Sequence, residues 1–149
     1  MNYSELQFLS DHEGSVQSVV VPIDLWHQLN ARVETFYISQ NPVWYARIRE
    51  AMTRGTGIAF DESLRQIEYD AAGFEDLAWW NKNHQDRARD IVRLVREVQQ
   101  APYEGRGYPV QLTGDLEGCV SRRIDDHHRL VYQVLDDKIR ILSCRRNGS

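Results

Sequence analysis

The stretch VQLTGDLEGCVSRRIDDHHRLVYQVLDDKIRILSC, residues 110–144, decides the fold. Apolar and polar side chains alternate along it with a period of two, as in strands that bury one face. Four strands are predicted, at 110–112, 119–124, 130–135 and 139–144. The breaks between them are Thr113-Gly114-Asp115, Asp125-Asp126-His127 and Asp136-Asp137, and the last reads as a tight two-residue hairpin. On the second strand Arg122 and Arg123 are neighbours, so their side chains must point to opposite faces of the sheet.

Upstream the period changes. Residues 86–100 carry Ile91, Leu94, Val95 and Val98 on one helical stripe with charges elsewhere, and residues 71–83 place Phe74, Leu77, Ala78 and Trp80 inward. A short alternating run, Gln66 to Asp70, reads as a strand. Residues 67–149 therefore predict an α+β domain, two helices packed on an antiparallel sheet. Residues 55–66 read as a linker. Before it, helices are predicted at 43–54, after Asn41-Pro42, and at 25–37, where Leu25, Trp26, Leu29, Val33, Phe36 and Tyr37 recur at helical spacing and Asp24 is placed to cap. Two β-prone runs, 6–9 and 16–21, flank the turn Asp11-His12-Glu13-Gly14 and predict a β-hairpin at the start.

Composition narrows the class. Of 149 residues, 42% are hydrophobic and 27% charged, which suits a globular chain. No apolar run approaches the roughly 20 residues of a membrane span, and the N-terminus has no apolar secretory core. The expectation is a cytoplasmic protein without membrane contact. Cys119 and Cys144, the two cysteines, cannot build a disulfide scaffold, and no Cys/His spacing suits a metal, so neither metal nor cofactor is expected. The net charge of −4 argues against a general polyanion binder. The charge is uneven, however: residues 1–66 hold 8 acidic and 5 basic side chains, while Arg122, Arg123, Arg129, Arg140, Arg145 and Arg146 gather near the C-terminus.

Four motifs together resemble the YoeB/Txe toxins of type II toxin–antitoxin systems, within the RelE/ParE fold. They are Pro102-Tyr103-Glu104-Gly105-Arg106-Gly107, Leu116 to Ile124 with its Ser121-Arg122-Arg123, His128-Arg129-Leu130-Val131-Tyr132, and Ser143-Cys144-Arg145. The first half resembles an antitoxin of the YefM/Phd type through Val19-Val20-Val21-Pro22-Ile23-Asp24-Leu25-Trp26 leading into a helix, followed by a second helix after Ser39-Gln40-Asn41-Pro42. The resemblance implies an antitoxin remnant at 1–54, a linker at 55–66 and a YoeB/RelE-like domain at 67–149. Most of the DNA-contacting start of such antitoxins is expected to be missing, and with a negative first half DNA binding is not expected.

The toxins of this family are mRNA interferases, ribosome-dependent endoribonucleases that work without metal. A base removes the ribose 2′-hydroxyl proton, cations stabilise the charge gathering on phosphorus, and an acid protonates the leaving oxygen. The resemblance assigns the phosphate clamp to Arg129 and RNA contacts to Arg122, Arg123, Arg145 and His128. Val110 stands where the family has its glutamate base, and Asn147 where it has the histidine of its terminal His-Tyr pair. Neither can move a proton near neutral pH. Such groups contribute about 10²–10⁴-fold each, so catalysis is expected to be impaired. Glu104, His127 and His128 are the candidate substitutes, against the plainer reading of a solvated loop and a hairpin end.

The expected function is a toxin–antitoxin fusion whose toxin-like domain is neutralised by its own N-terminal segment, in cis or across a homodimer. The ribosome and its mRNA are the remaining candidate partners. The alternative is a binding module without chemistry that sequesters a cognate toxin or antitoxin.

Overall fold

A computed structural model describes residues 6–55, 58–61 and 66–148. Its first elements are β1 (Gln7–Ser10) and β2 (Val16–Val20), an antiparallel hairpin with a bulge at Leu9/Ser10. Asp11 ties the turn, its Oδ1 accepting the amides of Glu13 and Ser15 at 2.9 Å each. Every residue of both strands is exposed, including Phe8, Leu9, Val16, Val19 and Val20.

Helix α1 spans Ile23–Ser39 and α2 spans Pro42–Arg54. The start of α1 differs from the expectation: Pro22 is the N-cap, no side chain caps it, and Asp24 lies inside the first turn. Its fixed φ makes proline a ready helix entrance. The boundaries of α2 follow from its ends. The Asn41 side chain accepts the Trp44 amide at 3.1 Å, proline occupies the first helical position, and Gly55 closes the helix at φ 72°.

Strands β3 (Ile58–Asp61), β4 (Gln66–Tyr69), β5 (Val110–Gln111), β6 (Cys119–Arg123), β7 (Arg129–Val134) and β8 (Lys138–Ser143) form one sheet in the order β3-β4-β8-β7-β6-β5. Between β4 and β5 lie α3 (Ala71–Asn83) and α4 (Gln85–Gln100). Two features correct the sequence reading. The sheet is mixed rather than antiparallel, because β4 runs parallel to β8, with Ile67 opposite Ile139. Alternation identifies a strand but carries no direction. The stretch read as a linker supplies β3, paired antiparallel with β4 at the sheet's edge. Four residues are too few to display a period.

Side-chain alternation gives the sheet two buried faces. Val120, Leu130, Tyr132, Ile139 and Ile141 pack against Ile91, Leu94, Val95 and Val98 of α4 and Trp80 of α3. Leu112, Cys119, Val131 and Leu142 pack against Ile38 of α1 and Trp44, Ile48 and Ala51 of α2. The chain is thus three layers, with α3 and α4 on one face of the sheet and α1 and α2 on the other.

The face α1 turns inward is not its most apolar one. Leu25, Ala31, Glu34 and Ile38 are buried, whereas Trp26, Val33 and Phe36 of the expected stripe are exposed, with Ile23 beside them.

Gly73 sets the distance between α3 and the sheet. A Cβ there would sit 2.5 Å from the Ile141 carbonyl oxygen, a backbone atom that cannot swing aside. Gly73→Ala is expected to lower stability by about 1–3 kcal/mol, the clash outweighing the gain of about 0.5–1 kcal/mol in helix propensity. A shift of the urea midpoint measures it.

Candidate functional site

Arg129 is the first residue of β7, and its side chain points to the α1 side of the sheet, the side to which Val131 also points. It is 4% exposed. Nη1 donates to the carbonyls of Asp125 (2.9 Å) and His128 (3.2 Å), which fixes the plane of the guanidinium. Nε is ion-paired with Oε1 of Glu34 on α1, a residue only 7% exposed. The same carboxylate oxygen accepts from the Ser121 hydroxyl on β6 at 3.0 Å. The Tyr37 ring lies 4.7 Å from the Arg129 guanidinium carbon and 5.6 Å from that of Arg146, and its hydroxyl donates to the His127 carbonyl at 2.8 Å. One turn of α1, from Glu34 to Tyr37, therefore neutralises and covers Arg129.

The two neighbouring arginines separate as the alternation requires. Arg122 is fully buried on the α4 side. Its Nε donates to the Tyr132 hydroxyl at 3.0 Å, and its other nitrogens donate to the carbonyls of Ala101, Glu104 (2.6 Å) and Arg106 (3.2 Å). It pins the loop 102–109 to the sheet and offers no guanidinium edge to solvent. Arg123 points to the α1 side and is exposed. Between α1, β5, β6 and the loop lies a cavity of about 1000 Å³, lined among others by Trp26, Glu34, Tyr103, Tyr108, Val110 and Arg123.

Val110 is half-buried on β5 and stands cross-strand from Ser121. The position expected for a general base is thus apolar, but the Glu34 carboxylate hangs from its cross-strand neighbour. Asn147 is a tether: its Nδ2 donates to Asp76 (3.2 Å) and to the Arg145 carbonyl (2.9 Å). Arg145 stacks on Trp79, its guanidinium carbon 3.7 Å from the ring centre. Of the candidate substitutes, Glu104 and His127 are exposed, and no hydrogen bond of either brings it to Arg129. His128 is packed edge-on against Trp80 at 4.8 Å, and its Nδ1 accepts the Arg146 amide at 3.0 Å.

The electrostatics follow from burial. Burial holds the His128 imidazole below its ordinary value; Asp125 pulls upward, and Arg145, His127 and Arg87 add to the depression. Burial would raise the Asp125 carboxyl, but the amides of His128 and His127 outweigh it and hold the group low. Asp76 is raised, burial exceeding the help of Asn147, Arg47 and the Cys144 amide. Both thiols are buried and pushed up, Cys119 to about 12. A histidine depressed in the fold binds fewer protons than in the unfolded chain. Its contribution to stability is present above the ordinary value of about 6.5 and lost as pH falls. Denaturation titrations should show stability declining below pH 6.5, and His128→Asn should remove that part of the slope.

Glu34 and Asp76 carry no motif in the sequence, and Tyr37 and Ser121 stand there only as part of a helical stripe and of the Ser121-Arg122-Arg123 motif. Their signal was weak: a carboxylate and a phenol within an amphipathic helix, a serine beside two arginines. Among the described residues no group of three or more His, Cys, Asp or Glu side chains could hold a metal, and no helix is long and apolar enough to cross a membrane.

The comparisons with known proteins fall on the second half of the chain. Residues 69–147 match the family model of the YoeB-like toxin of bacterial type II toxin–antitoxin systems. Toxin RelK of Mycobacterium tuberculosis is 43% identical over 82 residues, 55% of this chain and 96% of that protein. Toxin YoeB of Escherichia coli K12 is 38% identical over 72 residues, 48% of this chain and 86% of that protein. Among solved structures, the heterotetrameric YoeB–YefM toxin–antitoxin complex from Staphylococcus aureus aligns with a TM-score of 0.53 at 34% identity, covering 58% of this chain and 100% of that one. The YoeB dimer from the same organism aligns with a TM-score of 0.52 over the same shares. With its mixed sheet, its helix pair and its family match over residues 69–147, the chain belongs to the YoeB-like toxins of bacterial type II toxin–antitoxin systems.

Proposed function

We propose that the chain is a self-neutralised toxin–antitoxin fusion: an antitoxin-like segment, residues 1–54, covers the arginine face of a YoeB-like domain, residues 67–149, whose mRNA interferase chemistry is impaired. The observation that supports this reading is the burial of Arg129 beneath α1. In the family's chemistry a guanidinium at this position clamps the scissile phosphate, which a bidentate fork suits. In this chain the Nε of that guanidinium is taken by Glu34 and its Nη1 by backbone carbonyls, the base position is Val110 and the acid position is Asn147. Arg123 and Arg145 are the arginines left for RNA, because Arg122 is consumed by the loop.

Covalent attachment makes neutralisation independent of partner abundance, with effective concentrations in the mM range for short linkers. The exposed apolar hairpin and the stripe Ile23, Trp26, Val33 and Phe36 favour a homodimer that pairs through the antitoxin-like segment. The second reading, a binding module that sequesters a free toxin or antitoxin, draws on the same loss of acid and base.

A ribosome-programmed mRNA cleavage assay, mapped by primer extension, tests the function. The intact chain is expected to be silent, and Glu34→Gln with Val110→Glu and Asn147→His to restore cleavage that Arg129→Ala abolishes. Cleavage by the unaltered chain, lost in Arg129→Ala, would overturn the claim of impairment.

A further inference from the structure

We propose that Glu34 is an internal stand-in for a phosphate: its carboxylate occupies the oxyanion site built by Arg129 and Ser121, and this one side chain sets how tightly the chain holds single-stranded RNA. The proposal rests on the reading of the arginine face given above and specifies how that face is regulated.

The sheet supplies both donors and α1 supplies the anion. Arg129 Nε comes from β7 and the Ser121 hydroxyl from β6, and they converge on a single oxygen, Oε1 of Glu34. The guanidinium is aimed by the Asp125 and His128 carbonyls, which belong to the toxin-like half, so its direction does not depend on α1. Two convergent donors on a rigid sheet with their acceptor on another element form a site preorganised for an exchangeable oxyanion. Glu34 is also the sole acid of α1 besides Asp24, which lies in the first turn. The other holds on this part of α1 include no second carboxylate: the Thr113 amide donates to the Thr35 hydroxyl at 3.0 Å, Tyr37 donates to the His127 carbonyl and lays its ring on Arg129 and Arg146, and Ile38 sits in the core.

A polymer suits the surroundings better than a free ion. The cavity of about 1000 Å³ that begins at Glu34 runs past Arg123 and is bordered by Trp26, Tyr103 and Tyr108, all exposed. Exposed aromatic rings interleaved with a cation form the surface on which unpaired bases stack while phosphates are held. Glu34 is part of the cavity wall and Arg129 lies buried behind it, so a phosphodiester of a strand in the cavity reaches Arg129 only where the Glu34 carboxylate swings aside. Binding is then weakened by the fraction of molecules in which Glu34 holds the site.

The test uses the full chain and a short fluorescein-labelled single-stranded RNA at low salt, read by anisotropy, with circular dichroism and thermal melting as fold controls. Glu34→Gln preserves the shape and an acceptor but removes the charge. It is expected to bind the RNA about tenfold more tightly than the unaltered chain. Arg129→Ala in the same background should abolish the gain, and millimolar inorganic phosphate should compete with it. A folded Glu34→Gln chain that binds no more tightly, or a gain that survives Arg129→Ala, overturns the proposal. If phosphate binds but RNA does not, the polymer assignment is overturned. Should Glu34→Gln fail to fold, Glu34→Asp keeps the charge but shortens the reach; a gain of about threefold is expected and its absence counts against the proposal. Cleavage plays no part in this readout, so a negative result removes the role of Glu34 and leaves the lost acid and base to the cleavage assay.

Discussion

Glu34→Ala is expected to cost about 3–5 kcal/mol of stability and to lower the melting temperature by about 10 °C. The cost comes less from losing an attraction than from what remains. Arg129 is 4% exposed, and without Glu34 its Nε faces a covering of Tyr37 and Ser121 with no counter-charge. Removing one partner of a buried pair leaves an uncompensated charge, whereas replacing both by apolar side chains of similar volume is often neutral. The double variant Glu34→Leu with Arg129→Met should therefore recover most of the loss. Urea unfolding of the three variants measures it. A loss under about 1 kcal/mol in Glu34→Ala would mean the pair is screened as surface pairs are, and that α1 does not seal the site.

Trp44→Ala is expected to cost a similar amount, about 3–5 kcal/mol, through a cavity rather than a charge. The indole is fully buried among Ile38, Ile48, Val131 and Leu142 and meets Tyr37 edge-on at 5.8 Å. Its N–H donates to the Ser143 hydroxyl at 2.9 Å, and that hydroxyl lies 3.3 Å from the buried Asp76 carboxylate. Trp44 is thus where α2 is fastened to both the apolar and the polar part of the toxin-like half. Trp44→Phe should restore much of the volume yet still cost about 1–2 kcal/mol, because the Ser143 hydroxyl loses its donor. The urea midpoint separates the two. Equal losses would show that the hydrogen bond, missing from both variants, carries the whole effect, and no loss in Trp44→Phe would show that it contributes nothing.

These two residues also mark what the sequence could and could not reveal. The strands of residues 110–144 were legible from their short apolar runs and the turn residues between them, although helices on both faces leave consecutive side chains of β6, β7 and β8 buried. The helix at 85–100 was legible because its stripe at Ile91, Leu94, Val95 and Val98 is regular. That Arg122 and Arg123 take opposite faces followed from the pleat. Which of them is buried did not, since it depends on carbonyls about 16–21 residues away in the loop. The parallel pairing of β4 with β8 leaves no trace in local alternation.

Helix α1 misled for a physical reason. Hydropathy favours turning Trp26, Val33 and Phe36 inward, but the sheet face below carries a buried guanidinium that demands an anion. The helix rolls to satisfy Arg129 and leaves its larger apolar side chains in solvent. A single carboxylate in a helix reads as a solvated charge until its partner, 95 residues on, is seen beside it. Motifs put Arg129, Val110 and Asn147 forward as site positions, whereas no motif points to Glu34 or Tyr37.

The central claim is that α1 lies over the sheet of its own chain. Thr35 and Thr113 test it directly, because their hydroxyl oxygens are 3.4 Å apart across that contact. Thr35→Cys with Thr113→Cys, oxidised and run without reductant, should form an internal disulfide in a chain of unchanged mass; Cys119 and Cys144 are buried and will not interfere. A disulfide-linked dimer would place α1 on the neighbouring copy, and free thiols at both positions would mean that α1 does not cover this face at all.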